Sequence, residues 1–155
     1  MSEVAIYKNI TEDEKQYMIF NVGTEKYGIE VSLINNTIQM PSITRVPCAP
    51  KYFKGIINLR GEIVPVMSLS RKLRSVDEEI TNSSRIIILE LEKDDLMGII
   101  VDAVTEVKTI SSKDIEAPSV FLKSEETLVS GVAKVGDDLI SIIEVDYLLK
   151  SALAS

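Results

Sequence analysis

Residues 53–66, FKGIINLRGEIVPV, read as two short apolar strands joined at Arg60-Gly61. Ile56, Ile57 and Leu59 precede the turn, and Ile63, Val64 and Val66 follow it; β-branched residues at this density favour strand. Gly61 supplies the positive φ of a tight hairpin turn at no steric cost. Pro65 has no N–H for a ladder, so the second strand is expected at a sheet edge or a bulge. Gly55 precedes the first strand where the backbone bends or comes close to another group. Arg60 is out of character, because a guanidinium inside an apolar run is not buried unpaired. Two readings stand for it: a solvated turn residue that many side chains could replace, or an arginine held for an acidic partner or an internal carboxylate.

Around this hairpin, 155 residues suit one compact domain or two very small ones. Ile and Val dominate the apolar set, Trp is absent and aromatics are 5%, a palette for closely packed β structure. No apolar run approaches the roughly 20 residues that span a bilayer. The first residues, MSEVAIYKNITEDEKQ, lack the basic flank and apolar core of a signal peptide. Cys48 is the one cysteine, so no internal disulfide forms and a reducing, cytosolic setting is expected.

The net charge of -7 argues against nucleic acid, whose binding draws on basic patches, and against an anionic membrane surface, while the lack of a long apolar run leaves no direct membrane insertion expected. The chain has no histidine, which removes the commonest general base and metal ligand. Zinc sites, triads and histidine-backed thiols therefore lack their parts, and no glycine-rich phosphate loop exists. No carboxylate pair is set for glycosidase chemistry. No catalysis, cofactor or metal is expected. Cys48 reads as a buried or incidental thiol, and Met18, Met40, Met67 and Met97 as core filler.

Taken in order, residues 1–15 read as a disordered polar tail. Residues 16–22 and 26–31 form a hairpin about Gly23-Thr24. Residues 32–38 fit neither period, 40–47 are extended, and 49–55 hold one helical turn. Residues 69–75 are a short helical connector, and the polar stretch 76–84 is the best boundary. Strand 85–92 then turns at Asp94-Asp95 into a long strand, 96–107, bent near Ala103. One helical turn fits 110–115 and a loop 116–127. A hairpin, 128–135 with 139–145, turns at Gly136-Asp137-Asp138. Asp146 N-caps a final helix over 147–154.

The halves repeat each other. KYGIEVSLINNTI (26–38) aligns with LMGIIVDAVTEVK (96–108), pairing Gly28 with Gly98 and Ile34 with Val104. GIINLRGEIVPVMSL (55–69) aligns with GVAKVGDDLISIIEV (131–145), pairing Gly55 with Gly131, Ile63 with Leu139 and Val66 with Ile142. A repeated unit of about five short strands closes most easily as a small barrel. The expected fold is mostly β: two tandem barrels packed together, over 16–80 and 81–155, with short connecting helices and a C-terminal helix. A strand is free to cross between them.

VPCAPKYFKGIINLRGEIVPVMSL (46–69) resembles the signature of the chemotaxis coupling proteins of the CheW family. LMGIIVDAVTEV resembles the family's second motif and SGVAKVGDDLISIIEVDYLL its third, so the likeness covers roughly residues 16–150. It implies two five-stranded, SH3-like barrels and a non-enzymatic adaptor linking the cytoplasmic tip of chemoreceptors to the regulatory domain of the histidine kinase CheA. The alternatives are a stand-alone copy of that regulatory domain or a CheV-like adaptor. The resemblance puts the receptor in a groove between the barrels, with Ile34, Asn36, Gly55, Arg60 and Val107 as candidates, and kinase contacts on barrel edges at residues it does not specify. It implies a cytoplasmic protein held at the inner face of the membrane through receptor arrays, and modest, rearranging adaptor contacts lead to the expectation of a monomeric or weakly associating protein in isolation. Where the family often has a carboxylate this chain has Asn36, so an internal partner for Arg60 is missing. Where the family has Asp-Leu-Arg after the Pro-Val strand, this chain has Ser68-Leu69-Ser70, with Arg71 one position on.

Overall fold

A computed structural model describes residues 13–90, 92, 95–117 and 128–148. Strands β1 (Glu14–Val22) and β2 (Glu25–Glu30) form the first hairpin, and the single turn Val31–Leu33 leads into β3 (Ile34–Gln39). The central hairpin is β4 (Phe53–Leu59) and β5 (Glu62–Ser68), followed by the short helix α1 (Leu69–Arg74). Then come β6 (Arg85–Glu90), β7 (Leu96–Val101), β8 (Ala103–Ser111), β9 (Ile115–Glu116), β10 (Val129–Val135) and β11 (Asp138–Ile143).

The strands make two sheets, one ordered β8-β1-β2-β11-β10-β9 and the other β3-β6-β7-β5-β4. Both are small and SH3-like. The second closes where Thr44, on the segment after β3, bridges to Ile56 of β4 through bonds of 2.9 and 2.8 Å. Each sheet has one parallel pair at the same place in its order, β11 with β2 and β5 with β7. Gly28 faces Ile142 and Gly98 faces Val66 in those pairs, and Gly55 and Gly131 both sit at a register shift. The repeat read from the sequence is thus a structural repeat.

The sheets do not follow the halves 16–80 and 81–155. β1 and β2 join the later strands, while β6 and β7 join the earlier ones. The chain changes sheet at equivalent places in the two copies, at Val31–Leu33 and at Asp102. The anticipated bend near Ala103 is this second crossing. One Asp102 oxygen accepts the Gly23 N–H at 2.7 Å, and the Asp102 N–H donates to Asn21.

Exchange of strand pairs gives three apolar layers. Ile19, Ile140 and Ile142 fill one barrel, and Ile57, Val64, Val66, Ile86, Ile88 and Ile100 fill the other. Between them lies a seam built by Phe20, Ile29, Met67, Ile87, Leu89 and Ile99, with others. Successive residues of a strand face opposite sides. On β6, Ile86 and Ile88 therefore enter the barrel while Ile87 and Leu89 enter the seam, which accounts for the unbroken run Ile86–Leu89.

Several local expectations change. Residues 50–53 form a turn closed by Phe53 N–H to Pro50 C=O, not a helical turn. β5 lies between β4 and β7, so Pro65 is not at an edge; its pairing with β7 starts one residue later, at Val66, where a proline ring costs no bond. The bulge lies across the ladder at Gly55. Glu14 and Lys15 belong to β1, the Asp13 carbonyl accepts the Ser112 N–H, and residues 1–12 of the expected tail lie outside the described residues. Residues 145–148 are helical, with Leu148 N–H bonded to Glu144 C=O, so Asp146 lies inside the turn and does not cap it. The rest of the helix expected over 147–154 and most of the loop expected over 116–127 fall outside the described residues. The 3-10 turn Ser112–Asp114 matches the turn expected over 110–115. Cys48 is exposed.

Candidate functional site

β3 and β8 leave the two crossings and form the outermost strands of their sheets on either flank of the seam. Ile34 opens β3 opposite Leu89, is half-buried, and packs against the seam cluster together with Leu33, Met18 and Val104. Val107 sits on β8 directly opposite Met18, so it shares the seam-facing side of that sheet. It is nevertheless 49% exposed. An aliphatic side chain beside a buried seam, itself left in water, is available to a partner. Ile34 differs: part of its surface already stabilises the packing of the barrels.

Asn36 lies in mid-β3 opposite Ile88, half-buried, and its Oδ1 has no hydrogen-bond donor among the described residues. Arg60 tops the β4–β5 hairpin, is exposed, and has no ion-pair or hydrogen-bond partner among the described residues. No bond links it to Asn36. The strand pairings put Arg60 at the end of its barrel that also holds Ile34 and the β6–β7 turn. Leu59 faces Glu62, β5 runs parallel to β7, and Ile34 faces Leu89 near the end of β6. Gly55 is at the other end of β4, buried, with φ of 140°. A Cβ there would run into the Thr44 backbone carbonyl. The structure therefore brings Ile34 and Val107 to the flanks of the seam and Arg60 to the same barrel end as Ile34, whereas the bulge after Ile34 turns Asn36, opposite Ile88, to the barrel side of β3. Gly55 serves barrel closure.

The turn itself differs from its reading. Arg60 has φ of 54° and Gly61 φ of 87°, so both central residues are left-handed. The Asn58 carboxamide oxygen accepts the Gly61 N–H at 2.9 Å. Such turns favour Asn or Gly at the first position, and a long side chain there is held at a cost of about 1 kcal/mol. We expect Arg60→Asn to melt about 1–3 °C higher than the parent while losing whatever the free guanidinium contributes to partner binding. Thermal melts and a partner-binding titration on the same sample check this. A lower melting temperature would mean that the arginine has a structural partner.

The Ser68-Leu69-Ser70 departure is explained locally. Ser68 caps α1, its Oγ accepting the Arg71 N–H at 3.0 Å, a role that Asp also fills. Leu69 is fully buried in the seam. Ser70 Oγ donates to the Val76 carbonyl at 2.7 Å. Arg71 grips Asp77 through Nε and Nη2 and donates to the Ser75 carbonyl. With Lys54 on the same carboxylate at 2.7 Å, Asp77 is held well below the usual carboxylate range, first by Arg71 and then by Lys54. These contacts tie segment 76–78 to the barrel. Sequence reasoning missed them because Asp77 stands in a run of charges without a local signal for its partner.

The CheW-like domain family matches residues 16–153. The chain belongs to the CheW-like family. It is 29% identical over 150 residues to the chemotaxis protein CheW of Treponema pallidum, covering 92% of this chain and 86% of that protein. It is 32% identical over 136 residues to CheW of Bacillus subtilis, covering 87% and 86%. The crystal structure of the scaffolding protein TtCheW from Thermoanaerobacter tengcongensis superposes with a TM-score of 0.77 at 36% identity, covering 84% of each chain. CheW-like proteins are scaffolds or adaptors of chemotaxis. The match spans both sheets and both crossings, so the exchange of strand pairs lies inside the CheW-like domain.

Proposed function

We propose that this chain is a non-enzymatic adaptor in the cytoplasm that couples the cytoplasmic tip of chemoreceptors to the regulatory domain of the histidine kinase CheA. Val107 carries the geometric part of the reading: it is an exposed aliphatic residue on the flank of an otherwise buried seam. Ile34 faces the same seam from the other barrel, and Arg60 offers a guanidinium with no partner among the described residues at the barrel end. A receptor helix laid along the seam would cover Val107 and bring acidic groups to Arg60. The lack of histidine supports a binding role over catalysis. No described helix is long and apolar enough to cross a membrane; attachment to the membrane face comes through the receptors.

A pull-down with a receptor cytoplasmic fragment, with and without CheA, tests the reading. The expected result is retention of the receptor fragment by the chain alone and of CheA in its presence. Failure to retain either partner would overturn it. The isolated chain is also expected to sediment as a monomer at micromolar concentration, because contacts that rearrange within an array stay near or below about 1,200 Å². A tight homodimer in analytical ultracentrifugation would contradict this.

A further inference from the structure

A second surface lies at the other end of the five-stranded barrel, away from Arg60. The segment after β3, the start of β4, helix α1 and residues 77–80 enclose a concavity of about 790 Å³. Met40 and Ile43, which also pack on the barrel core, line it. At its walls Val46 is 40% and Ile80 52% exposed.

The electrostatics of this end run against the rest of the chain. In a protein of net charge -7, the lining here holds more cations than carboxylates. Four cations and two carboxylates line the concavity. Asp77 is matched by Arg71 and Lys54, and Glu78 lies 3.6 Å from Lys54. Arg45 and Lys51 have no acidic partner among the described residues and are exposed. The Glu78 side chain is only 5% exposed, so its charge lies beneath the surface and the rim of the concavity is left to Arg45 and Lys51.

We infer that this concavity docks a short acidic peptide segment of a partner protein, one that carries an aliphatic side chain between its carboxylates. The carboxylates pair with Arg45 and Lys51, and the aliphatic group covers Val46 and Ile80. Charge complementarity selects this occupant: an acidic protein presents one cationic, partly apolar hollow, and a basic or neutral segment would leave both unpaired cations without a match. Nucleic acid would satisfy the cations and leave the exposed aliphatic walls uncovered.

The probe is a fluorescein-labelled hexapeptide, Glu-Asp-Leu-Glu-Asp-Leu, titrated with the full chain by fluorescence anisotropy. Binding is expected to weaken at least about tenfold between about 50 and 500 mM salt, where the screening length contracts to a few ångströms. The double variant Arg45→Glu with Lys51→Glu should lose at least about tenfold, and Lys113→Glu, on the other barrel, should bind as the parent does. Amide shift mapping on the unmodified chain should report Val46 and Ile80, which needs no variant to fold. The inference is overturned by absence of binding at about 1 mM, by a double variant that binds normally, or by shifts confined to Ile34 and Val107. Equal binding of a single-stranded DNA hexamer, or of the peptide with lysine at each acidic position, would overturn it too. None of these outcomes bears on receptor coupling, which the pull-down tests separately.

Discussion

Gly55→Ala is expected to lower the melting temperature by about 10 °C. The reason is local and twofold. Gly55 has φ of 140°, a conformation nearly closed to side chains, at a cost of about 1–3 kcal/mol for alanine. The added Cβ would also meet the Thr44 carbonyl and the Ile43 side chain. Moving Thr44 away would loosen its two backbone bonds to Ile56, the contact that closes the five-stranded barrel. Overpacking of this kind costs a further 1–3 kcal/mol or so. Together they approach about 4 kcal/mol, and each kcal/mol is worth about 2–4 °C at this chain length. Gly61→Ala is the matched control: φ of 87° strains alanine, but no atom lies within 4 Å of the new methyl. A calorimetric melt of both variants decides the point, and a Gly55→Ala protein that melts within about 2 °C of the parent would place the barrel closure elsewhere.

Val107→Asp is expected to weaken receptor binding by at least about 30-fold, roughly 2 kcal/mol, the scale of an interface hot spot. Kinase binding should be unchanged. The carboxylate stays hydrated in the free protein, because Val107 is half exposed and its strand is outermost in its sheet. Stability should therefore fall by no more than about 1 kcal/mol, the range of strand propensities. Under a docked receptor the same carboxylate would be stripped of water without a partner, at a cost of several kcal/mol. Ile34→Asp is a poorer probe, since Ile34 packs on the seam and its loss would disturb both barrels. Binding titrations against receptor fragment and CheA, beside thermal melts, give the comparison. Equal loss of both partners, or a collapsed melting temperature, would make Val107 a packing residue.

The elements were legible where one residue type settles one conformation. Ile and Val on both sides of Arg60-Gly61 announced β4 and β5, and the matched Gly28, Gly98, Gly55 and Gly131 announced a repeat. Which strands share a barrel was not legible. That depends on a three-residue turn, Val31–Leu33, and on one residue, Asp102, whose bond to Gly23 joins positions 79 apart in sequence. Residues 96–107 read as one bent strand because nothing in their apolar pattern marks a change of sheet. The run Ile86–Leu89 was clearly strand, but its burial on both faces follows only from the seam.

The site was legible in part. Ile34 and Val107 looked alike as apolar residues, and only burial separates the one that packs from the one left exposed. Gly55 was seen to mark a bend or close approach, but the partner, Thr44, could not be named. Arg60 was recognised as unburied, while its own positive φ was hidden behind the neighbouring glycine. Most of the cationic hollow is lined from the single stretch 40–54, but nothing in the sequence shows that Arg71, Asp77, Glu78, Ile80 and Ile100 come back to close it.

The most direct measurement of the adaptor role is the rate of CheA autophosphorylation in the presence of receptor cytoplasmic fragments, with and without this chain. The account predicts stimulation of at least about tenfold by the unmodified chain, equivalent to 1.4 kcal/mol, and none by Val107→Asp. An equal rate with and without the unmodified chain, under conditions where both partners bind it, would contradict the account.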